Sequence, residues 1–155
     1  MTDYLSQDDT YKEIAQLVGK DLQYGILHEP FGLYDFGFGH FIVTDLNKGT
    51  TRKLCEYTLH ASCRFKIVQR VGERKVNRYN ENTTQEQFLL GIQELLGLTV
   101  RRVALSDKND LWIDFEKYWM VFATFDNSQE SWRFFTPDGN SPHMVVSNSY
   151  ASLEP

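Results

Sequence analysis

Apolar residues recur at helical spacing in two segments of the chain. In the first, Tyr11, Ile14, Ala15, Leu17 and Val18 follow Asp8-Asp9-Thr10, which can cap a helix, and Gly19 supplies a left-handed stop. In the second, Phe88, Leu89, Ile92, Leu95 and Leu96 form a stripe behind Thr83-Thr84, and Gly97 ends it. Gly91 interrupts that stripe at a cost of about 1 kcal/mol against Ala, so a close packing contact is expected there. Short β-rich runs follow each predicted helix. They cover 22–27, 32–38 and 41–44 after the first helix, and 99–105, 111–115, 119–125, 131–135 and 143–147 after the second. The connections are short and rich in turn residues, which favours antiparallel pairing.

The two segments also resemble one another. Leu17-Val18-Gly19 matches Leu95-Leu96-Gly97 at an offset of 78, Leu22 then meets Val100, and Leu33-Tyr34 meets Leu111-Trp112. With one residue inserted, Asp35-Phe36 meets Asp114-Phe115. Farther on, and at a different offset, Cys63-Arg64-Phe65 parallels Trp132-Arg133-Phe134. The predicted fold class is therefore α+β. Two related helix-plus-antiparallel-meander units, 8–78 and 83–150, pack into one compact domain spanning 1–155.

A period of two runs through 55–67. Cys55, Tyr57, Leu59, Ala61, Cys63 and Phe65 share one face, and Glu56, Thr58, His60, Ser62 and Arg64 the other. Such a run offers two thiols and an imidazole, the raw material of a metal site or a Cys–His nucleophile. On an unbroken strand, however, His60 points away from both thiols, and only a bulge or turn near Ala61-Ser62 would change that. His28, His40 and His143 lie at separate turns or strand starts. No catalytic residue, metal ligand or cofactor is predicted, and the chain reads as a binding protein rather than an enzyme. Gly32, Gly37 and Gly39 do not form a phosphate loop, because no helix with a Lys-Ser/Thr follows them; turns or strand bulges account for them better.

Composition adds a compartment and a charge distribution. The N-terminal residues are acidic and lack a signal-peptide pattern, no apolar run approaches the ~20 residues of a membrane span, and two cysteines make no disulfide framework. A cytoplasmic protein without membrane contact is expected. The net charge of −5 is uneven: residues 52–78 carry eight Lys/Arg against two Glu, and the flanking regions are acidic. The basic segment could hold nucleic acid, but RNA-binding sheets interleave exposed aromatics, and Tyr79 is the only nearby one. A solvated face balanced by acidic neighbours is expected instead, with no direct nucleic-acid partner.

Glu130-Ser131-Trp132-Arg133-Phe134-Phe135 is the other distinctive run. Its Glu, Trp and Arg could line a pocket through stacking and bidentate contacts, or could serve the core and one structural ion pair. The pocket reading places a small ligand or nucleotide between the two halves, near His60, Arg64, Glu130 and Arg133.

Several of these runs carry a resemblance. Leu17-Val18-Gly19-Lys20, Tyr57-Thr58-Leu59-His60 with Cys63 and Arg64, Leu111-Trp112-Ile113-Asp114-Phe115, and Glu130-x-Trp132-Arg133-Phe134-Phe135 with Pro142-His143 are its marks. In them the chain resembles a broad group of small bacterial immunity-like proteins found beside polymorphic or contact-dependent toxins. It departs from the group where Cys63 directly precedes Arg64, since an aromatic usually separates the two. The resemblance implies an immunity protein that binds and neutralises a cognate toxin C-terminal domain, a nuclease being the expected kind. A nuclease is cationic because it holds a polyanion, so its inhibitor should offer carboxylates around aromatic anchors. The residues expected to do so are Asp107, Asp110, Trp112, Asp114, Glu116 and Asp126.

Overall fold

Helix α1 (Gln7–Ile14) begins at Ser6, whose Oγ accepts from the Asp9 N–H at 3.1 Å. The cap thus lies ahead of the expected Asp8-Asp9-Thr10, and Asp8 and Asp9 occupy the first turn, where negative charge suits the helix dipole. A 3-10 turn, Ala15–Leu17, carries the chain to Gly19, which takes φ 87°. Helix α2 (Gln85–Leu95) is capped by Thr84, and Gly97 follows at φ 82°. A Cβ on Gly91 would stand 3.0 Å from Ile67 Cδ1, so the expected close contact is present. Each apolar stripe is narrower than predicted. Ile14, Leu17, Phe88, Ile92 and Leu95 are buried, whereas Tyr11, Val18, Leu89 and Leu96 are exposed, because one position along a helix turns a side chain by about 100°.

The structure is a computed structural model that describes residues 3–29, 31–46, 50–80, 82–138 and 141–155, folded as two antiparallel sheets with two short helices. The first sheet contains β1 (Leu22–His28), β2 (Leu33–Leu46), β3 (Thr50–Ala61), β9 (Glu130–Phe135), β10 (His143–Ser147) and β11 (Tyr150–Glu154), in the order β1-β2-β3-β9-β10-β11. The second contains β4 (Arg64–Val71), β5 (Arg74–Tyr79), β6 (Arg102–Leu105), β7 (Leu111–Asp114) and β8 (Tyr118–Ala123), in the order β5-β4-β8-β7-β6.

Two strand expectations are corrected, and one strand is added. The runs 32–38 and 41–44 form one strand, with a register shift between Phe38 and Phe41 where Gly39 takes φ 82°. The run 55–67 is broken at Ser62-Cys63, where the chain leaves the first sheet for the second. Strand β11 lies outside the predicted runs. Its hairpin turns on Asn148 and Ser149, both at positive φ, and Ser is a poor sequence signal for that geometry. The chain therefore does not close a meander within one sheet. After three strands in one sheet it crosses to the other, and it later returns. Ser131 fixes both crossings: its carbonyl accepts from Ser62 N at 2.9 Å and Cys63 N at 3.3 Å, and its Oγ accepts from Phe125 N at 2.9 Å.

The sheets meet through aromatics. Phe36 of the first lies 5.1 Å from Phe65 and 5.7 Å from Phe122 of the second, measured between ring centroids. Phe88 of α2 reaches the same cluster, and Tyr34 and Tyr79 join their hydroxyls at 2.6 Å. Truncating a ring such as Phe65 to Ala costs about 3–5 kcal/mol in a core of this kind. Helix α2 packs on the edge strands β1 and β5, and α1 packs on the edge strand β6. The helices thus sit at the sides of the sheet pair. No helix among the described residues is long and apolar enough to cross a membrane.

Beyond the helices, two segments pair with each other. Gly19 N donates to Val100 O and Gly97 N to Leu22 O, both at 2.8 Å, while Leu22 N donates to Leu98 O and Val100 N to Lys20 O. Asp21 faces Thr99 at the centre of this arrangement, and Thr99 Oγ1 donates to Asp21 Oδ1 at 2.6 Å.

Candidate binding faces

Successive side chains of a strand point to opposite sides, so each sheet presents an outer face whose chemistry depends on which residues become cross-strand neighbours. On the first sheet, Asp35, His60 and Arg133 stand in one row across β2, β3 and β9. Asp35 Oδ1 accepts from the Tyr24 hydroxyl at 3.0 Å and lies 3.3 Å from His60 Nε2, and Asp35 Oδ2 lies 3.6 Å from His28 Nε2. Burial by itself pushes the Asp35 carboxyl up. The contacts with His60, Tyr24 and His28 outweigh it and hold the group below the usual carboxylate range. The Tyr24 hydroxyl is pushed up, first by burial and then by the Asp35 charge.

Arg133 is held more completely. Its Nε and Nη2 donate to the two carboxylate oxygens of Glu130 at 3.0 and 2.6 Å, its Nη2 reaches Glu154 at 3.3 Å, and its Nη1 lies 2.9 Å from His143 Nδ1. Burial and then the neighbouring Arg133 charge lower the His143 pKa, consistent with a neutral ring that accepts from the guanidinium. Phe135 stacks on His143 at 4.2 Å and meets His60 edge-on at 4.9 Å.

Three of the four residues expected at a ligand pocket, His60, Glu130 and Arg133, thus come together, on an outer face. Arg64 does not join them. It starts β4 in the other sheet and borders a cleft of about 460 Å³ with Tyr34, Cys63 and Tyr79. The two thiols also stand apart from the imidazole. Cys55 and Cys63 are buried, burial pushes the Cys63 thiol up to about 12, and His60 faces outward to Asp35. The expected separation of His60 from Cys63 holds despite the break at Ser62, because side-chain parity carries through the crossing.

On the second sheet, Val68, Trp119, Asp114 and Arg102 form one row across β4, β8, β7 and β6, and Lys66, Val121, Trp112 and Ala104 form the next. Arg70, Lys75 and Arg102 lie over the Trp119 ring at 5.3, 4.9 and 5.7 Å from its centroid. Trp119 Nε1 is buried and has no acceptor among the described residues. Beside it, Trp112, Ala104 and Val103 help line a concavity of about 280 Å³. Arg64, Lys66, Arg70 and Lys75 make no ion pair among the described residues, so this basic surface is not balanced by acidic neighbours as expected.

The six residues expected to contact a partner divide into three groups. Trp112 and Asp114 do share the outer face, but Asp114 is buried, accepting from Arg102 Nε at 2.6 Å and from Glu116 N at 2.7 Å. Asp110 accepts from the N–H and the hydroxyl of Thr124 at 2.7 and 2.8 Å, which ties two loops together. Asp107 and Asp126 are exposed at that same end of the sheet, while Glu116 stands at the opposite end, 3.4 Å from Arg101. The face around Trp112 is therefore cationic at its centre and acidic at its ends.

Sequence reasoning missed Trp119 and Arg102. Pairing 111–115 with 119–125 across the Glu116-Lys117 turn sets Trp119 opposite Asp114, so the alternation on β8 held the missing signal. Comparisons with known protein families, curated proteins and solved structures find no match to this chain.

Proposed function

We propose that this chain is an immunity-like binding protein that neutralises a bacterial toxin domain by covering it with the outer face of the second sheet. The supporting observation is the Trp119 site, a half-buried indole ring beneath three cations and beside the half-buried Trp112. Tryptophan and arginine on a rigid scaffold are the residues that most often dominate binding energy. A nuclease domain is a fitting target, since a metal-dependent one combines a basic substrate channel with carboxylates around its ion. Asp107 and Asp126 would meet the channel, and the central cations the carboxylates.

The test is co-expression with the C-terminal domain of the toxin encoded beside this gene. Cells should survive, the two proteins should co-purify, and Trp112→Ala should weaken the complex at least tenfold while the thermal midpoint stays near the parent value. Toxicity undiminished by co-expression would refute the proposal.

We also infer that the chain consists of two related units, 8–78 and 83–150. Support comes from the hydrogen bonds between the post-helix segments, which map onto one another when 78 is added: Gly19 to Val100 becomes Gly97 to Leu22, and Leu22 to Leu98 becomes Val100 to Lys20. In each unit a helix precedes three strands of one sheet and then strands of the other. Helix α2 packs on β1, and α1 packs on the corresponding β6. Sequences of relatives aligned against themselves should match best at a shift near 78; no peak there would count against common origin.

A further inference from the structure

We infer that the outer face of β4, β5 and β8 is a carboxylate-binding strip that takes an acidic protein segment, so that the basic residues between 64 and 75 serve a partner of their own. The inference deepens the proposal above by naming the chemistry of the partner's surface, and it rests on that reading only for the partner being a toxin.

Charge satisfaction supports it first. Among the described residues, Lys20, Arg78, Arg101, Arg102 and Arg133 each lie within 4 Å of a carboxylate. Arg64, Lys66, Arg70 and Lys75 do not, and unlike the scattered Lys12, Lys108 and Lys117, which also lack one, these four gather on one sheet face. Spacing supports it next. Arg64, Lys66 and Arg70 lie on one side of β4, where alternate residues are about 6.6–6.8 Å apart, matching carboxylates at alternate positions of an extended chain. The surface beside the strip mixes apolar side chains with the paired Arg102 and Asp114. Trp112, Ala104 and Val121 adjoin it, and the concavity between the tryptophans has room for one apolar side chain of the bound segment.

Nucleic acid suits the same strip less well. Three cations already occupy the Trp119 ring on which a base would stack. Strand β8 is six residues long, about 20 Å, with Asp126 beyond one end and Glu116 beyond the other, so a long polyanion would run onto carboxylates. A short acidic segment can stop within the strip.

The molecule carries its own reporter. Trp112 and Trp119 are two of three tryptophans, and the third, Trp132, is fully buried in the core. The full chain is titrated with a synthetic peptide of alternating Glu and Ser bearing one central Leu, and separately with oligothymidylate of similar length, following tryptophan fluorescence. The peptide should give a saturable change that weakens at least tenfold between about 50 and 500 mM salt. Lys66→Glu/Arg70→Glu/Lys75→Glu should lose at least tenfold in affinity. Lys12→Glu/Lys108→Glu/Lys117→Glu, with the same change in net charge, should bind as the parent does. All six sites are exposed, so both variants should fold. No saturable change, equal loss in both variants, or tighter binding of oligothymidylate would overturn the inference. Failure to neutralise a toxin with peptide binding intact would strike only the preceding proposal.

Discussion

The two outer faces both carry charged and aromatic groups and differ in how those groups are used. On the first sheet Asp35 gathers Tyr24, His28 and His60, and Arg133 is matched by Glu130, Glu154 and His143. Every strong donor or acceptor in that row has its counterpart within the chain. On the outer face of the second sheet Arg102 and Asp114 are so matched, while among the described residues Arg64, Lys66, Arg70 and Lys75 have no carboxylate partner and the Trp119 indole N–H has no acceptor. The residues that look most like an active site, histidines around an aspartate, therefore form a closed network. The less conspicuous face is the one with unmet hydrogen-bonding and charge capacity. A partner gains little by competing with satisfied pairs and more by completing unsatisfied ones.

Mutations on the two faces should accordingly differ in kind. Arg133→Ala should have the largest effect on stability, about 2 kcal/mol by chemical denaturation, because it leaves Glu130 and Glu154 near one another without their common cation. A loss below about 0.5 kcal/mol would mean that the network is decorative. Asp35→Asn should cost about 1 kcal/mol at neutral pH. The Asp35 pKa is depressed in the folded state, so its contribution is present above the ordinary value of 3.8 and is lost as pH falls below it. Parent and variant stabilities should accordingly converge in acid, and a constant gap across that range would assign the loss to packing.

On the second face, Trp119→Phe removes an orphaned donor and should leave stability within about 0.5 kcal/mol of the parent or raise it. A clear loss would reveal an acceptor for the indole. Lys66→Ala should shift stability least, by less than about 0.5 kcal/mol, since its charge is exposed and unpaired. A larger loss would show that this face, too, serves the fold.

The elements were more legible than their arrangement. Periodicity located both helices because Ile14, Leu17, Phe88, Ile92 and Leu95 must share a buried side, and Gly19 and Gly97 marked their ends. Alternation also predicted correctly that His60 and Cys63 lie on opposite sides of the chain. Which sheet a strand joins was not readable, because the crossing at Ser62 preserves alternation and leaves no mark in the pattern. The signal for that crossing is the Ser131 carbonyl, contributed from almost 70 residues away. Candidate residues were misjudged for a related reason. Asp110 and Asp114 look like free surface carboxylates along the chain, and only cross-strand register brings Thr124 and Arg102 to them. The same register sets Trp119, distant in sequence, beside Arg70 and Lys75 of the basic segment.

The exchange of strands between sheets has a consequence for synthesis. When residues up to Ala61 have been made, β3 has β2 on one side, and its other edge waits for β9, which begins at Glu130. Strand β4 waits in the same way for β8. A nascent chain thus exposes two unpaired strand edges through the making of dozens of residues, the condition under which strands pair wrongly with other copies. The outward charges on β4, Arg64, Lys66 and Arg70, lie beside one of those edges and would discourage such pairing until the second half emerges.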